Sequence, residues 1–388
     1  MFGRPVSWHL SGLMLTNLRD RAWVEVQADA MLRNASTLQQ VVGPGSRLIP
    51  MVKADAYGIG LSQAVRILET TNPWGFGVAT LREGLELRRL GVTYPVLVVS
   101  PLPPASTEAA VEAGLQLGIS NPESLSLVTD AADRVGRTAD IHIEIDTGIG
   151  RSGFNWKDAS GWKRDLDDAI KLGVRWVGSY THLHSADEDH DTVLEQWTRF
   201  QEALRQLDVP DSVLIHIVNS AGALRLPELA ASAIRTGIFL YGGSAGVALP
   251  DPDPVVSVHA RVVHIRQANA GDTVGYGATY RAETNEYWAS LGIGYGDGIP
   301  RLLGNRGSVL IHGCRAPIIG RISMDVTVVN ISDIPNVSLG DIATLIGSDK
   351  DEQITVDDVA EQADTIGYEI LTGLSPRLPR IWKGLDER

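Results

Sequence analysis

One lysine of this sequence stands where a covalent amine catalyst could act. Lys53 lies near the end of the apolar run Leu48–Ala54, and Tyr57 and two glycines follow it within the segment Pro50–Gly60. Partial burial at a strand end disfavours the charged ammonium group and lowers its pKa, as an amine that forms a Schiff base requires. A lone strand-end lysine is more often a solvated or paired charge, so this segment alone is a weak indication.

Polar side chains end all of the apolar runs in the first two thirds of the chain. These side chains belong to Lys53, Thr80, Ser100, Ser120, Asp146, His182, Asn219 and Arg235. In a barrel of parallel strands, the loops that follow the strands converge at one rim and build the active site there. One or two polar strand ends would be ordinary, whereas a complete set predicts a lined pocket.

The elements that must position these residues alternate between strand-like and helix-like segments. The apolar runs are Leu48–Ala54, Gly75–Thr80, Val96–Ser100, Leu115–Ser120, Ile141–Asp146, Val174–His182, Val213–Ser220 and Ala233–Gly242. Apolar residues at helical spacing fill the intervening segment Asp187–Asp208. Strands that alternate with helices imply parallel pairing and right-handed crossovers, so the pattern predicts a closed (β/α)8 barrel of the TIM type.

The chain changes character at Leu249–Pro254, where three prolines are typical of a linker. Beyond it, short β runs alternate with turns, and they are Val255–Arg266, Trp288–Ile293, Val309–His312, Ile318–Ile322, Val326–Ile331 and Ile342–Ile346. A late helix is predicted to start near Thr355, with Asp358 completing a variant of the capping box. We therefore predict an α/β protein whose barrel is followed by a mainly antiparallel β domain.

The predicted division of the chain is an N-terminal extension at residues 1–20, the barrel at 21–250 and the β domain at 251–388. Its 388 residues, 44% hydrophobic and 21% charged, suit a two-domain globular enzyme. A net charge of −13 argues against a nucleic-acid partner, because phosphates need a basic surface. The single cysteine fits a reducing compartment. With no membrane-span run and no signal-peptide pattern at the start, we expect a cytoplasmic protein.

A series of motifs resembles the alanine racemase family, in the same order, over residues 21–383. They are Pro50–Gly60, Asp146–Gly153, Tyr180–Glu188, Asn219–Ser220, Arg235–Ile238, Gly275–Tyr280, Gly294–Gly298 and Gly320–Asp325. The resemblance implies a pyridoxal 5′-phosphate enzyme that interconverts L- and D-alanine and supplies D-alanine for peptidoglycan. It also implies a homodimer in which the β domain contributes to the partner's active site.

The resemblance assigns most of the cofactor site to the barrel. Lys53 would form the Schiff-base linkage, and Arg235 would face the pyridine nitrogen and keep it unprotonated, which weakens the electron sink and suppresses transamination. The remaining cofactor-binding residues implied are Tyr57, His182, Asn219, Ser220 and the backbone amides of Gly237 and Ile238.

Racemisation needs a proton removed from one face of the α-carbon and returned to the other, so two bases are expected. The resemblance implies Lys53 as one base and Tyr276 of the partner subunit as the other. A cationic chain through His182 and Arg235 is expected to lower the tyrosine's pKa. The substrate carboxylate would be bound by Arg151 and by the backbone amide of Met324 of the partner subunit, and Tyr295 and Asp325 would be supporting residues.

Several positions depart from the family pattern. Glu144 stands seven residues before Arg151, where many members carry a carbamylated lysine, and we expect its carboxylate to pair with Arg151 directly; pairing with another cation is the alternative. Pro376 replaces a tyrosine that touches the phosphate in some relatives. Together with His184, this substitution leaves the strictness for alanine open.

Three other functions are compatible with parts of the sequence. A racemase of broader specificity, or one for serine, would share the same motifs. A non-catalytic pyridoxal-phosphate carrier resembles the barrel alone and would not need Tyr276 or Met324, and a decarboxylase of similar plan is disfavoured by Tyr276 and Arg235. The histidines and aspartate at 182, 184, 187 and 190 match no standard zinc spacing, so no metal site is predicted.

Overall fold

The structure is a computed structural model that describes residues 19–384. The predicted N-terminal extension therefore lies outside the described residues, except for its last two. The chain divides into two compact units. The β unit comprises residues 19–25, 257–354 and 375–381, and the barrel unit comprises residues 26–256, 355–374 and 382–384.

The strands of both units are numbered in chain order. They are β1 (Ala22–Gln27), β2 (Arg47–Pro50), β3 (Phe76–Val78), β4 (Val96–Val98), β5 (Gln116–Ile119), β6 (Ala139–Asp146), β7 (Phe154–Asn155), β8 (Val174–Tyr180), β9 (Leu214–His216), β10 (Ala233–Thr236), β11 (Val256–Ala268), β12 (Thr273–Val274), β13 (Tyr280–Arg281), β14 (Glu286–Leu291), β15 (Ser308–Ile311), β16 (Cys314–Pro317), β17 (Thr327–Asn330), β18 (Ile342–Asp349), β19 (Glu352–Ile354) and β20 (Arg380–Lys383).

The α-helices of both units are likewise numbered in chain order. They are α1 (Ala28–Val42), α2 (Lys53–Tyr57), α3 (Leu61–Glu69), α4 (Leu81–Arg89), α5 (Pro104–Glu112), α6 (Pro122–Val135), α7 (Ala159–Lys171), α8 (His190–Leu207), α9 (Ser220–Arg225), α10 (Val356–Gln362) and α11 (Gly367–Gly373). None of the helices within residues 19–384 is long and apolar enough to cross a membrane.

Parallel strands close into a ring in the barrel unit. The order β3-β4-β5-β6-β8-β9 is continuous, and β10 pairs with β2. Two isolated parallel bridges complete the ring. Met51, just after β2, bridges to Gly77 of β3, and Asn219, just after β9, bridges to Arg235 of β10. The predicted (β/α)8 barrel is confirmed.

The barrel strands are shorter than their apolar runs. For example, the run Ala233–Gly242 contains β10 and then a 3₁₀ helix at Ile238–Tyr241, whose side chains are fully buried. Apolar residues after a strand can thus remain in the core without extending it. Composition shows that such a segment is buried, but it does not show where the strand ends.

The β unit is built on one large sheet. The order β16-β15-β18-β11-β1-β20 forms its main path, with β14, β17 and β19 attached to it. The pairings of β11 with β14 and β18 are antiparallel, as are those of β14 with β17 and of β15 with β16. The predicted β domain is confirmed.

Of two local predictions in the second half of the chain, one differs from the structure and one agrees with it. The predicted strand Ile318–Ile322 is wrong, because β16 ends at Pro317, Ile318 makes a single bridge to Val329, and Gly320 has a left-handed φ of +68° that breaks the extended backbone. The predicted late helix is confirmed as α10. Its N-terminus has the expected capping box, with Thr355 and Asp358 each accepting from the other's backbone amide.

The predicted boundaries at 21–250 and 251–388 also differ from the compact units. Strand β1 belongs to the sheet of the β unit, whereas α10 and α11 belong to the barrel unit. The physical reason lies in specific contacts within the barrel unit. The amide of Ser244 donates to Asp357 at 2.8 Å, and a Cβ atom added to Gly58 would overlap the backbone of Leu371.

Candidate active site

A cavity of about 330 Å³ lies at the carboxyl ends of the barrel strands, within the barrel unit. Ten of the predicted site residues line it, namely Lys53, Tyr57, Glu144, Arg151, His182, Asn219, Ser220, Arg235, Gly237 and Ile238. The other four, Tyr276, Tyr295, Met324 and Asp325, belong to the β unit. The structure therefore brings together the cofactor residues that the resemblance implies for the barrel.

Lys53 is the first residue of α2, shortly after the end of β2, and is half-buried. Burial lowers its pKa, and the positive charges of Arg151 and Arg235 lower it further, against the opposing negative charge of Glu83. A lowered pKa leaves more of the amine neutral, which is the form that attacks a carbonyl. A lowered pKa is what a Schiff-base lysine requires, and the role of Lys53 stays a prediction.

The backbone after Lys53 is left-handed. Each residue from Ala54 to Tyr57 has a φ of 52–56°, which is rare for residues other than glycine. The turn is held by side chains, since Glu83 accepts from the amide of Ala54 at 2.8 Å and Asp55 accepts from the amide of Leu61 at 2.7 Å. Such strain persists only where the surroundings determine it, and it clusters at functional sites.

Hydroxyl and amide groups form an anion cradle at one side of the cavity. The Tyr57 ring stacks on Tyr241 at 4.7 Å, and the Tyr241 hydroxyl donates to the carbonyl of Met51. A Cβ atom at Gly237 would overlap the Tyr57 hydroxyl, so only glycine leaves this space open. The amide of Gly237 donates to the Ser220 hydroxyl at 2.9 Å. The hydroxyls of Tyr57 and Ser220 line the cavity beside the Gly237 backbone, and hydroxyl groups can donate to a phosphate group.

Arg235 is buried and almost fully committed to protein acceptors. Its Nη1 donates to the carbonyl and to Nδ1 of His216, at 2.7 and 3.0 Å. Its Nη2 donates to the carbonyls of Thr181 and Ile217 and, at 3.3 Å, to Nδ1 of His182. Burial lowers its pKa to about 10, so the guanidinium stays charged at neutral pH.

His182 does not carry the positive charge that the sequence analysis expected. Burial, and next the positive charge of Arg235, lowers its pKa to about 3. The imidazole is therefore neutral, and the expected cationic chain has its positive charge on Arg235 alone. Because Nδ1 accepts from Arg235, the proton of His182 is on Nε2, which remains a donor.

Glu144 is buried in β6 but does not make the expected pair with Arg151. The Ser120 hydroxyl donates to its carboxylate at 2.6 Å, and the ion pairs within 4.0 Å among residues 19–384 do not join Glu144 to Arg151. The reason is position, because Arg151 lies in an exposed loop beyond the strand. That loop is shaped by Asp146, whose carboxylate accepts from the amides of residues 148 and 150.

Three of the four site residues of the β unit, Tyr295, Met324 and Asp325, lie on two connected loops, and Tyr276 lies in a separate segment between β12 and β13. The amides of Tyr295 and Gly296 donate to the carbonyls of Ser323 and Met324, at 3.0 and 2.8 Å. Any side chain at Gly294 would overlap the same backbone, so the glycine-rich motif is required for this close approach. Tyr276 and Met324 are 66% and 52% exposed.

Sequence models of the alanine racemase N-terminal and C-terminal domains match residues 26–245 and 255–382. The chain belongs to the alanine racemase family. Members of this family are pyridoxal-phosphate-dependent isomerases, so the predicted enzyme class and cofactor are confirmed.

Relatives and solved structures of the alanine racemase family resemble nearly the whole chain. Alanine racemases of a Synechocystis and a Nostoc species are 38% and 36% identical, over 94% and 93% of this chain and 99% and 95% of theirs. The alanine racemase of D-cycloserine-producing Streptomyces lavendulae has a TM-score of 0.90 at 32% identity, covering 95% of this chain and 98% of that one. The Bacillus anthracis alanine racemase with bound L-Ala-P has 0.86 at 36%, covering 94% and 95%.

Sequence reasoning missed one tyrosine of the cavity. Tyr368 of α11 lines it, with its ring 6.0 Å from that of Tyr57, and burial raises the pKa of its hydroxyl to about 12. It lies on the same side of the cavity as the anion cradle, because its ring is close to that of Tyr57. The sequence carried no signal for this placement, because one tyrosine in a short helix is an ordinary packing residue.

Sequence reasoning also missed a buried carboxylate in the β unit. Asp297 is fully buried, pairs with Arg21 at 2.6 Å and Arg377 at 3.4 Å, and accepts from the amide of Gly294. Arg377 also binds Asp325 at 2.6 Å. Within residues 19–384, no group of three or more histidine, cysteine or acidic side chains could hold a metal ion.

Proposed function

We propose that this chain interconverts L-alanine and D-alanine with pyridoxal phosphate bound in the cavity of the barrel unit. The observation that carries the proposal is the convergence on one cavity of a lysine with a lowered pKa, a charged arginine and an anion cradle. Their types and order along the chain are those of the alanine racemase family.

The residues present fit the cofactor. Tyr57, Ser220 and the backbone at Gly237 and Ile238 would hold its phosphate, Lys53 would bind it covalently, and Arg235 would face its ring nitrogen, with Asn219 beside them. When bound, pyridoxal phosphate supplies the electron sink for charge left at the α-carbon. Tyr368 is a further candidate for the phosphate side.

Two bases would move the proton. Lys53 is proposed to take or return it at one face of the α-carbon, with Tyr276 of the partner subunit serving the other face. His182 supports this role for Tyr276, because no hydrogen bond among residues 19–384 takes its Nε2–H, which could donate to a phenolate oxygen. The charge of Arg235, relayed through a neutral imidazole, would stabilise that phenolate.

The substrate and assembly follow from the same assignment. Arg151 and the backbone amide of Met324 of the partner subunit are proposed to bind the alanine carboxylate, with Tyr295 and Asp325 holding that loop. The enzyme would be a cytoplasmic homodimer, with a barrel domain at about 21–250 and a β domain at about 251–388 that completes the partner's site. Its D-alanine would supply peptidoglycan synthesis.

The direct test is to incubate purified protein, pyridoxal phosphate and L-alanine and to measure D-alanine formation and loss of optical rotation. We expect approach to a racemic mixture from either enantiomer, and none with Lys53→Ala. A panel of other amino acids in the same assay sets the specificity. No racemisation of alanine by cofactor-loaded protein would contradict the proposal, and faster racemisation of serine would favour a racemase of different specificity.

A further inference from the structure

A row of polar side chains runs through the interior of the barrel, away from the cavity. Arg235 donates to Nδ1 of His216 at 3.0 Å, Nε2 of His216 lies 2.9 Å from Nδ1 of His142, and Nε2 of His142 lies 2.7 Å from Oε1 of Gln116. Both imidazoles are fully buried. The row begins beside the proposed cofactor site and ends at the first residue of β5, at the opposite end of that strand from the rim.

Only one arrangement of protons satisfies every contact in this row. Arg235 has no acceptor, so Nδ1 of His216 must be bare and its Nε2 protonated. His142 must then accept at Nδ1 and donate from Nε2, and the Gln116 oxygen accepts last. Any other assignment sets two donors or two acceptors face to face. Both histidines are neutral, because burial, and next the charge of Arg235, lowers the pKa of each.

The barrel is shaped around this row. The His142 ring fills the space that a side chain at residue 178 would need, so Gly178 makes room for it, and the register of β6 against β8 shifts at His142. Trp74 packs edge-on to His142 at 5.6 Å, and Tyr180 stacks on His216 at 5.0 Å and 15°. Aliphatic side chains would fill a barrel interior without unpaired polar atoms, so a fully paired polar row points to a use.

The function of this row follows from which N–H groups of Arg235 are already bonded to protein acceptors. Both Nη1–H groups are taken by His216, and both Nη2–H groups by Thr181, Ile217 and His182. The hydrogen bonds of Arg235 among residues 19–384 do not include one from Nε. One N–H is thus left for a ligand.

We propose that Gln116, His142 and His216 are positioning residues. Their hydrogen bonds all run in one direction, away from Arg235, and hold its guanidinium group in place. Only the Nε–H of Arg235 is then left to bind the cofactor. The inference rests on the proposed function in that Arg235 faces the ring nitrogen. Without the acceptor at Gln116 or the link at His142, a buried N–H of the row loses its acceptor, and the His216 ring that accepts from Arg235 is no longer held in position. The charge beside the ring nitrogen is then free to shift.

The first test reads the tautomers themselves. Nitrogen-15 NMR of cofactor-loaded protein, labelled at its nine histidines, distinguishes bare from protonated ring nitrogens. The signals of His142 and His216 are assigned by their loss in His142→Gln and His216→Gln. We expect both rings to be bare at Nδ1 and protonated at Nε2. A protonated Nδ1 in either ring overturns the chain.

The second test compares two replacements of His142. His142→Phe keeps the ring shape without its polar atoms, whereas His142→Gln retains an acceptor and a donor. We expect His142→Phe to lower kcat for alanine by about tenfold, the scale of losses when the partner of a ligand-contacting group is removed, with KM changed less than about twofold. The absorption maximum of its bound cofactor should also shift, because the charge at the ring nitrogen moves. His142→Gln should recover most of both.

Two further variants accompany the comparison of His142→Phe with His142→Gln. Gln116→Met repeats the test at the end of the chain if His142→Phe fails to fold. His259→Gln removes a partly buried imidazole that hydrogen-bonds Thr344 and Ser257 in the β unit, and it should alter neither readout. A wild-type absorption maximum and kcat in both His142→Phe and Gln116→Met would overturn the proposal. Correct tautomers in a protein that does not racemise alanine would instead count against the proposed function alone.

Discussion

Three cations and one carboxylate set the electrostatics of the cavity. Lys53, Arg151 and Arg235 all line it, and their mutual repulsion adds to burial in lowering the pKa of Lys53. The negative charge of Glu144 opposes the loss of charge at Arg235. The site thus favours a neutral amine beside a permanent cation, which is the combination that a Schiff-base lysine and an anionic ligand need.

Lys53 is predicted to be the only lysine bonded to the cofactor, because it is the lysine that lines the cavity. Borohydride reduction followed by peptide mapping should place the label on Lys53 alone, and Lys53→Ala should be colourless and inactive. The matched control is Lys157→Ala, which removes a lysine lying over the Trp156 ring and should be labelled and active as wild type. Label on another lysine would contradict the assignment.

Glu144 is predicted to make the enzyme indifferent to bicarbonate, since a carboxylate already stands at this position. Glu144→Lys should lower kcat/KM by about tenfold or more, because an unpaired buried cation is strongly unfavourable. Carbon dioxide should restore part of the activity, by adding to the neutral amine to give a carbamate and a released proton. Glu123→Lys, at an exposed position, is the control. Activation of the wild-type enzyme by bicarbonate would refute this role.

The placement of the barrel residues around one cavity was predictable from the sequence only as a set. Lys53, Arg235 and His182 each have a common structural explanation, and their shared order with the family singled them out. Their charge states were not predictable, because the neutral form of His182 depends on burial next to Arg235. The partner of Glu144 was missed for a similar reason, since Ser120 comes from a different strand.

At the scale of elements, the loops of the β unit depend on one buried carboxylate. Asp297 links the motif Gly294–Gly298 to Arg21 and Arg377, which come from distant parts of the chain. A fully buried anion between two arginines is strongly coupled to both, so its loss leaves their charges uncompensated.

Asp297→Asn is therefore predicted to destabilise the protein by about 3 kcal/mol or more, as expected for breaking a buried ion pair. Urea unfolding of the full chain measures this loss through the transition midpoint. Asp140→Asn is the control, because its partner Arg175 is 65% exposed and such pairs contribute about 1 kcal/mol or less. Equal midpoints for the two variants would show that Asp297 has no special role.

Element types were predictable where the pattern was strong. The β-branched runs predicted the eight barrel strands, and the capping residues Thr355 and Asp358 predicted α10. Strand β1 was not predicted, since its pairing with β11 joins segments more than two hundred residues apart. The left-handed turn after Lys53 was also unpredictable, because its alanines ordinarily favour right-handed helices.

At the scale of the whole molecule, the groups assigned to catalysis are divided between the two units. Lys53, Arg235 and Arg151 belong to the barrel unit, and Tyr276 and Met324 belong to the β unit. The boundaries between the units could not be read from the linker at Leu249–Pro254, because the chain contributes separate segments to each unit.

A shared active site predicts complementation between inactive subunits. Lys53→Ala and Tyr276→Phe chains are each expected to be inactive alone. In a mixed dimer, one of the two sites holds both wild-type bases, and random exchange makes about half of the dimers mixed. About one quarter of wild-type activity should then return. Mass spectrometry verifies the exchange, and a double-mutant chain mixed with wild type is the control. No recovery would contradict a site shared between subunits.

The left-handed turn from Ala54 to Tyr57 has the backbone handedness that D-residues prefer. L-residues store about 1–2 kcal/mol each in this conformation, whereas it is the relaxed form of their mirror images. Ala54→Gly, at an exposed position, should therefore be neutral or stabilising in thermal unfolding. Ala105→Gly, exposed in the right-handed helix α5, should destabilise by about 1 kcal/mol. Equal losses would show that the turn holds no strain. The residue best suited to follow Lys53 is D-alanine, the proposed product.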